Sequence, residues 1–130
     1  MQVPEFAVAV KLTKDAESRL RALNESIMVS ANLDGDGEPE PAVNTAPFRD
    51  VYLAGYIEEV NDINVAHFKG ERVSARKMSR LFDKNYYVTI NVFSARKAVK
   101  NNILNCDVPI ERIENIKNKT LYVHCELIKL

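Results

Sequence analysis

Residues Tyr86–Ser94 read YYVTINVFS, and this stretch decides the fold class. Its β-branched and aromatic residues fit a pleated, half-buried surface, and it contains no charged residue. Because successive side chains of a strand point to opposite faces, the stretch predicts a strand with at least one buried face. We expect it in the middle of a sheet, since an uncharged edge of this kind invites aggregation or strand addition.

The same alternation recurs before and after this strand. Six further segments show it: Phe6–Leu12, Ile27–Leu33, Val51–Val60, Ile63–Phe68, Ile103–Cys106 and Thr120–Leu130. Two helices interrupt the pattern, at Lys14–Asn24 after a capping Thr13 and at Ser74–Phe82, and a short helical turn is expected at Pro109–Ile116. The chain is therefore predicted to be mainly β, a two-layer β-sandwich of about seven strands with two short helices.

The composition predicts one domain with one long loop. No linker divides the chain, so we expect residues 1–130 to form a single globular domain. Residues 34–47 contain three prolines and two glycines, which predicts an exposed acidic, Pro-rich loop. No apolar run is long enough to cross a bilayer, and the first residues do not follow the pattern of a secretory signal. We therefore expect a soluble, cytoplasmic protein without a membrane partner.

The chain has two cysteines, Cys106 and Cys125. A cytoplasmic domain with a core of this size does not need a disulfide, so we expect both cysteines to be reduced core residues. The alternative is a disulfide between them, because both lie in segments that are predicted to be strands.

Charge is divided unequally along the chain, although the total is neutral. Residues 1–65 hold five basic and twelve acidic residues, whereas residues 66–130 hold thirteen basic and six acidic residues. Such a distribution steers and selects charged partners. The candidate partner-binding residues are four acidic residues of the loop and three arginines at four-residue steps around the second helix: Asp34, Asp36, Glu38, Glu40, Arg72, Arg76 and Arg80.

Metal and cofactor sites are not predicted. The segment Asn32–Gly37 matches the first positions of an EF-hand calcium loop, but prolines follow it and Val43 stands where a bidentate glutamate is needed. A tetrahedral zinc site needs three or four converging ligands, and no suitable spacing connects the histidines and cysteines of the chain: His67, His124, Cys106 and Cys125.

The remaining features favour protein binding. No nucleophile elbow or Gly-rich phosphate loop is present, so no catalytic residue is assigned. We expect an adaptor or an immunity-type inhibitor that occludes a partner protein by charge complementarity, with a basic partner if the acidic loop makes the contact. Two alternatives stay open. One is a nucleic-acid-binding accessory protein that uses the basic 69–100 face, and the other is a small enzyme that uses His67, His124 or Cys106.

Overall fold

The computed structural model of the chain describes residues 2–37, 49–61, 64–70 and 72–129. Over these ranges the strands are β1 (Phe6–Leu12), β2 (Ile27–Gly37), β3 (Arg49–Val60), β4 (Val65–Phe68), β5 (Leu81–Ser94), β6 (Leu104–Cys106), β7 (Ile110–Arg112) and β8 (Thr120–Leu127). The helices are α1 (Lys14–Leu23) and α2 (Ala75–Met78), and a 3-10 turn covers Ile113–Asn115. None of the described helices is long and apolar enough to span a membrane.

Two four-stranded sheets pack against each other. The first sheet has the strand order β4-β1-β8-β6, and the second has the order β3-β2-β5-β7. The described strand pairs are antiparallel apart from β1 and β8, which run parallel. The prediction of a mainly β, two-layer sandwich is therefore confirmed. The start of α1 is also as predicted, because the Thr13 side chain accepts a hydrogen bond from the Ala16 N–H at 3.2 Å.

The core lies between the sheets and follows the alternation of the sequence. The inner faces carry fully buried aliphatic side chains, which include Val8, Val29, Ala31, Leu33, Val88, Ile90 and Val123. The intervening residues of β2 and β5 are only partly buried, because they point away from the first sheet. The second sheet therefore has an outer face that is partly exposed to solvent.

The strand β2 is four residues longer than predicted. It pairs with β3 as far as Gly37, so Asp34 and Asp36 lie in a strand and not in a loop. Hydrogen bonding to neighbours on both sides favours extended backbone over the turn that the glycines predict. The predicted start of the loop at residue 34 is therefore wrong. Glu38, Glu40 and the rest of the predicted loop lie outside the described residues.

The predicted helix Ser74–Phe82 is wrong in its extent, since α2 is a single turn. The next strand, β5, begins at Leu81, whose backbone pairs with Gly37 at the end of β2. Starting a helix fixes the backbone dihedral angles of several residues in return for few hydrogen bonds. The long pairing of β5 with β2 is therefore favoured over the helix that the local pattern predicts. Arg72 then precedes α2 and Arg80 follows it, and the three predicted arginines do not line one helical face.

The segment Pro109–Ile116 also differs from its prediction. The sequence predicts a short helical turn here with Pro109 at its first position, whereas the first part of the segment forms the strand β7 and the 3-10 turn covers Ile113–Asn115. The pairing of β7 with Tyr87–Thr89 of β5 explains the difference, because cross-strand hydrogen bonds are made by residues that are remote in sequence. The described strands therefore number eight.

Cys106 and Cys125 form a disulfide. The two residues stand directly opposite each other in β6 and β8, and their Cα atoms are 4.1 Å apart. The expectation of two reduced cysteines is therefore wrong, and the alternative is correct. The bridge attaches the three-residue edge strand β6 to an interior strand of the first sheet.

Candidate partner-binding surface

Three large apolar side chains are exposed on the outer face of the second sheet. The exposed fraction is 57% for Tyr52, 56% for Ile57 and 62% for Ile110. Their cross-strand partners are partly buried residues of β2 and β5 that alternate with the core residues, which places all three on one face. Small polar residues lie between them, namely Ser30, Asn32, Thr89 and Asn91. The three exposed apolar side chains on one face make the outer face of the second sheet the candidate contact surface.

One row of side chains crosses all four strands of this face. Asp34 lies opposite both Tyr52 and Tyr87, and Tyr87 lies opposite Arg112. The guanidinium group of Arg112 is 5.9 Å from the centroid of the Tyr87 ring. On the other side, Lys77 Nζ of α2 is 5.9 Å from the centroid of the Tyr52 ring. Each aromatic ring of the row therefore has a cation at cation–π distance and a carboxylate on the neighbouring strand.

The two acidic candidates within the described ranges take part in contacts of the sheet. The Tyr87 hydroxyl donates a hydrogen bond to Asp36 Oδ2 at 3.2 Å. Burial raises the pKa of Tyr87, and the negative charge of Asp36 raises it further, so the hydroxyl remains a donor in neutral solution. Asp34 also makes contacts of its own. Both aspartates are only partly exposed: Asp34 belongs to the row, and Asp36 is hydrogen-bonded to Tyr87 of the row.

Gly55 gives the Tyr52 ring room to lie along β3. A Cβ atom at position 55 would stand 2.5 Å from Tyr52 Oη and 3.4 Å from Tyr52 Cζ, so a larger residue displaces the ring. Lys77 Nζ also donates a hydrogen bond to the Leu53 carbonyl oxygen at 3.2 Å, which fixes α2 beside the ring. Tyr52 is thus held in position while more than half of its surface is exposed.

The three arginine candidates are exposed around α2. Arg72 pairs through its backbone with Gln2, Arg76 lies within α2, and Arg80 lies in the turn that follows. The Arg80 N–H donates to the Lys77 carbonyl oxygen at 3.2 Å, so the turn continues the helical path. The arginines form no ion pair with any residue of the described ranges. We call these three arginines, Lys77 and Tyr52 the α2 corner.

The oppositely charged halves of the sequence are interleaved in the fold. In the first sheet, β1 from the acidic half lies between β4 and β8 from the basic half. In the second sheet, β2 from the acidic half is hydrogen-bonded to β5 from the basic half. Asp34 and Arg112 consequently belong to one row. The charge division along the sequence therefore becomes a local alternation of charge on the outer face.

The buried Glu25 carboxylate binds the connection between β5 and β6. It accepts hydrogen bonds from three successive backbone N–H groups, those of Lys97 at 3.1 Å, Ala98 at 2.8 Å and Val99 at 3.3 Å. Burial raises the pKa of Glu25, but these three hydrogen bonds and a fourth from the backbone of Ser26 outweigh burial and hold the pKa below its usual value. Sequence reasoning missed this residue, because its partners lie more than 70 positions away.

Glu59 of β3 holds the same connection from the second sheet. Its carboxylate forms an ion pair with Lys97 Nζ and accepts a hydrogen bond from Ser26 Oγ at 2.8 Å. The hydrogen bond from Lys97, followed by the one from Ser26, lowers the pKa of Glu59. At neutral pH, the Glu25 and Glu59 carboxylates therefore tie the connection between β5 and β6 to the segment before β2 and to β3.

The enzyme alternative loses one of its candidate groups. Cys106 has no free thiol, because its sulfur is bonded to Cys125. His124 lines an open cavity of about 420 Å³ beside the disulfide. His67 lies on β4, at the opposite edge of the first sheet from β6, and lines a separate cavity. The three candidates therefore do not converge on one site.

The calcium-loop interpretation does not agree with the backbone. Asn32, Asp34 and Asp36 occupy alternate positions of the extended strand β2, whereas an EF-hand loop must turn around its ion. Among the described residues, no group of three or more His, Cys, Asp or Glu residues is close enough to hold a metal ion.

Sequence reasoning placed Tyr52 and Ile57 in a strand but did not single them out as contact residues. Alternation shows that a strand has two faces, and only the pairing of β3 with β2 decides which face is outside. Lys77 gave no separate signal, because its contact with Tyr52 joins two elements that are distant in sequence. Comparison with known proteins gives no information about this surface. The chain matches no protein-family model, no curated protein and no solved structure.

Proposed function

We propose that this chain is a small protein-binding domain, an adaptor or an immunity-type inhibitor, that covers a partner protein with the outer face of its second sheet. The exposure of Tyr52, Ile57 and Ile110 on one open face carries the proposal. Burial of apolar area drives most protein association, and interfaces are enriched in Tyr and Arg. The alternation of charges along the row supplies the specificity that apolar contacts lack.

The acidic residues keep a place in this proposal. Asp34 and Asp36 lie on the same face as the apolar residues, so a basic group of the partner complements that part of the surface. An isolated acidic loop would call for a partner with a basic surface. The apolar residues of this face remove that requirement, so the partner does not need to be basic over its whole surface. A local basic group opposite β2 is sufficient.

An affinity capture from native lysate of the source cells tests the proposal. Wild type is expected to retain one protein in stoichiometric amount, and the Ile57→Lys/Ile110→Lys variant is expected to lose it, because a charge then replaces each apolar contact. Ile128→Lys is the matched control, since Ile128 is also exposed, at 42%, but follows β8 of the first sheet.

Three outcomes contradict the proposal. They are the absence of any captured protein, equal loss of the protein in both lysine variants, and retention of the protein by the Ile57→Lys/Ile110→Lys variant. A nuclease-treated sample accompanies each capture. If the captured material is nucleic acid that nuclease removes, the nucleic-acid-binding alternative replaces protein binding.

The disulfide bears on the cellular location. The sequence predicts a cytoplasmic protein, but structural disulfides persist mainly in oxidising compartments. We propose that the chain functions in such a compartment. Alkylation of free thiols in intact source cells, followed by mass measurement, is expected to leave Cys106 and Cys125 unmodified. Two alkylated cysteines would support the cytoplasmic prediction instead.

A further inference from the structure

We infer that the partner docks an acidic segment on the α2 corner, and this inference rests on the proposed protein-binding function. The corner combines several cations with one exposed aromatic ring. Residues 69–84 hold six basic and two acidic residues. Within the described ranges, Arg72, Arg76 and Arg80 are exposed and have no carboxylate partner. An acidic segment therefore complements a positive charge that the carboxylates of the described ranges do not pair with.

Tyr52 gives the corner a fixed contact group beside the cations. Its ring is seated over Gly55, it has Lys77 Nζ at 5.9 Å from its centroid, and 57% of it is exposed. Lys77 is itself anchored to the Leu53 carbonyl oxygen. Binding to this ring costs little conformational entropy, because ring and ammonium group are already held in the unbound chain. Tyrosine and arginine are also among the residues that most often dominate interface energies.

The surroundings of the corner favour an acidic protein segment over a nucleic acid. Asp34 lies directly opposite Tyr52 on the neighbouring strand, and Asp36 lies two positions further along that strand. A phosphate backbone carries a charge at every nucleotide, so a strand that crosses from the corner onto the sheet meets these carboxylates. The chain is also neutral in total, whereas nucleic-acid-binding domains are basic. A peptide is able to place acidic residues at the corner and neutral or basic residues beyond it.

Fluorescence anisotropy with defined probes tests the inference. The probes are a labelled peptide of alternating Glu and Gly, the same peptide with Gln in place of Glu, and single-stranded oligothymidylate of equal charge. Wild type is expected to bind the Glu peptide and not the Gln peptide, and binding is expected to weaken as the salt concentration rises. The Arg76→Glu/Arg80→Glu variant is expected to bind the Glu peptide at least about tenfold more weakly.

Two further variants separate the corner from general electrostatics. Arg19→Glu/Lys129→Glu changes the net charge by the same amount at exposed positions of α1 and of the chain after β8, and it is expected to bind the Glu peptide like wild type. Gly55→Ala leaves every charge in place and displaces the Tyr52 ring, so a several-fold loss is expected. Equal weakening by both charge reversals, absence of Glu-peptide binding, or tighter binding to oligothymidylate overturns the inference.

The same variants distinguish failure of this inference from failure of the proposed function. The Arg76→Glu/Arg80→Glu variant is used in the affinity capture beside wild type. If wild type retains a partner and this variant retains it equally, the protein-binding function stands and the acidic-segment inference is wrong. If wild type retains no protein, the protein-binding function itself is wrong, whatever the peptide does.

Discussion

Replacement of both disulfide cysteines, Cys106→Ala/Cys125→Ala, is expected to lower the free energy of unfolding by about 3 kcal/mol. The cysteines are separated by 19 positions, and a cross-link over a loop of this size restricts the unfolded chain by that order of energy. The bridge also holds β6, a strand of three residues, against β8. The measurement is denaturation by urea at neutral pH. Unfolding is followed by far-ultraviolet circular dichroism, because the chain contains no Trp whose fluorescence could report it.

A reducing agent provides the internal control for this prediction. A dithiol should bring wild type close to the stability of the Cys106→Ala/Cys125→Ala variant, because each then lacks the cross-link. The variant itself should be insensitive to the reductant, since it has no cysteine left. Equal stability of oxidised wild type and the variant would contradict a stabilising role of the disulfide.

Glu25→Ala is the second substitution with a large expected effect, a loss of about 2 to 3 kcal/mol in the free energy of unfolding at neutral pH. The variant leaves three backbone N–H groups in the connection between β5 and β6 without their acceptor. Hydrogen bonds to a charged, buried carboxylate contribute more than neutral ones. Glu17→Ala is the matched control, because the Glu17 side chain forms an ion pair with the exposed Arg21 on α1 and such pairs contribute about 0.5 kcal/mol or less.

The pKa of Glu25 gives this prediction a pH dependence with a defined sign. Folding holds the pKa below the ordinary value of 4.5, so the carboxylate stabilises the fold above that pH. The stabilisation is lost as the pH falls below 4.5 and through the lower pKa of the folded state. The difference in stability between wild type and Glu25→Gln should therefore shrink in acid.

Urea denaturation of wild type and Glu25→Gln at neutral pH and near pH 3 measures this change. Glu59 also has a lowered pKa, so both proteins should retain some acid sensitivity. A difference between them that stays constant with pH would show that the charge of Glu25 has no stabilising role.

The fold class could be predicted from the sequence because the alternation of side chains in a strand is a local property. The pattern around Val88 and Ile90 predicts one buried face, and both residues are fully buried. The lengths of β2 and α2 could not be predicted, because they depend on the pairing of Gly37 with Leu81 across more than 40 positions. A local helical pattern near Arg76 cannot reveal a competing strand partner so far away.

The sequence predicted some charged residues of the candidate surface but not how they are arranged. Asp34, Asp36, Arg72, Arg76 and Arg80 were selected for their charge, and the structure places the aspartates on the outer sheet face and the arginines around α2. The selection did not include the apolar residues of that face. Their exposure depends on which side of the second sheet meets the first, and this is decided by packing between sheets.

The parallel pair of β1 and β8 has a consequence for biosynthesis. It joins Phe6–Leu12 to Thr120–Leu127, and β8 separates β1 from β6 in the sheet order. The ribosome releases residues in order, so a nascent chain is able to assemble the second sheet once Arg112 has emerged but must wait for β8 to complete the first. Contacts between such distant segments close the longest loops and are the slowest to form. Completion of the sandwich therefore waits until Thr120–Leu127 has emerged, and the uncharged strand Tyr86–Ser94 depends until then on its pairing with β2 and β7 for protection from other nascent chains.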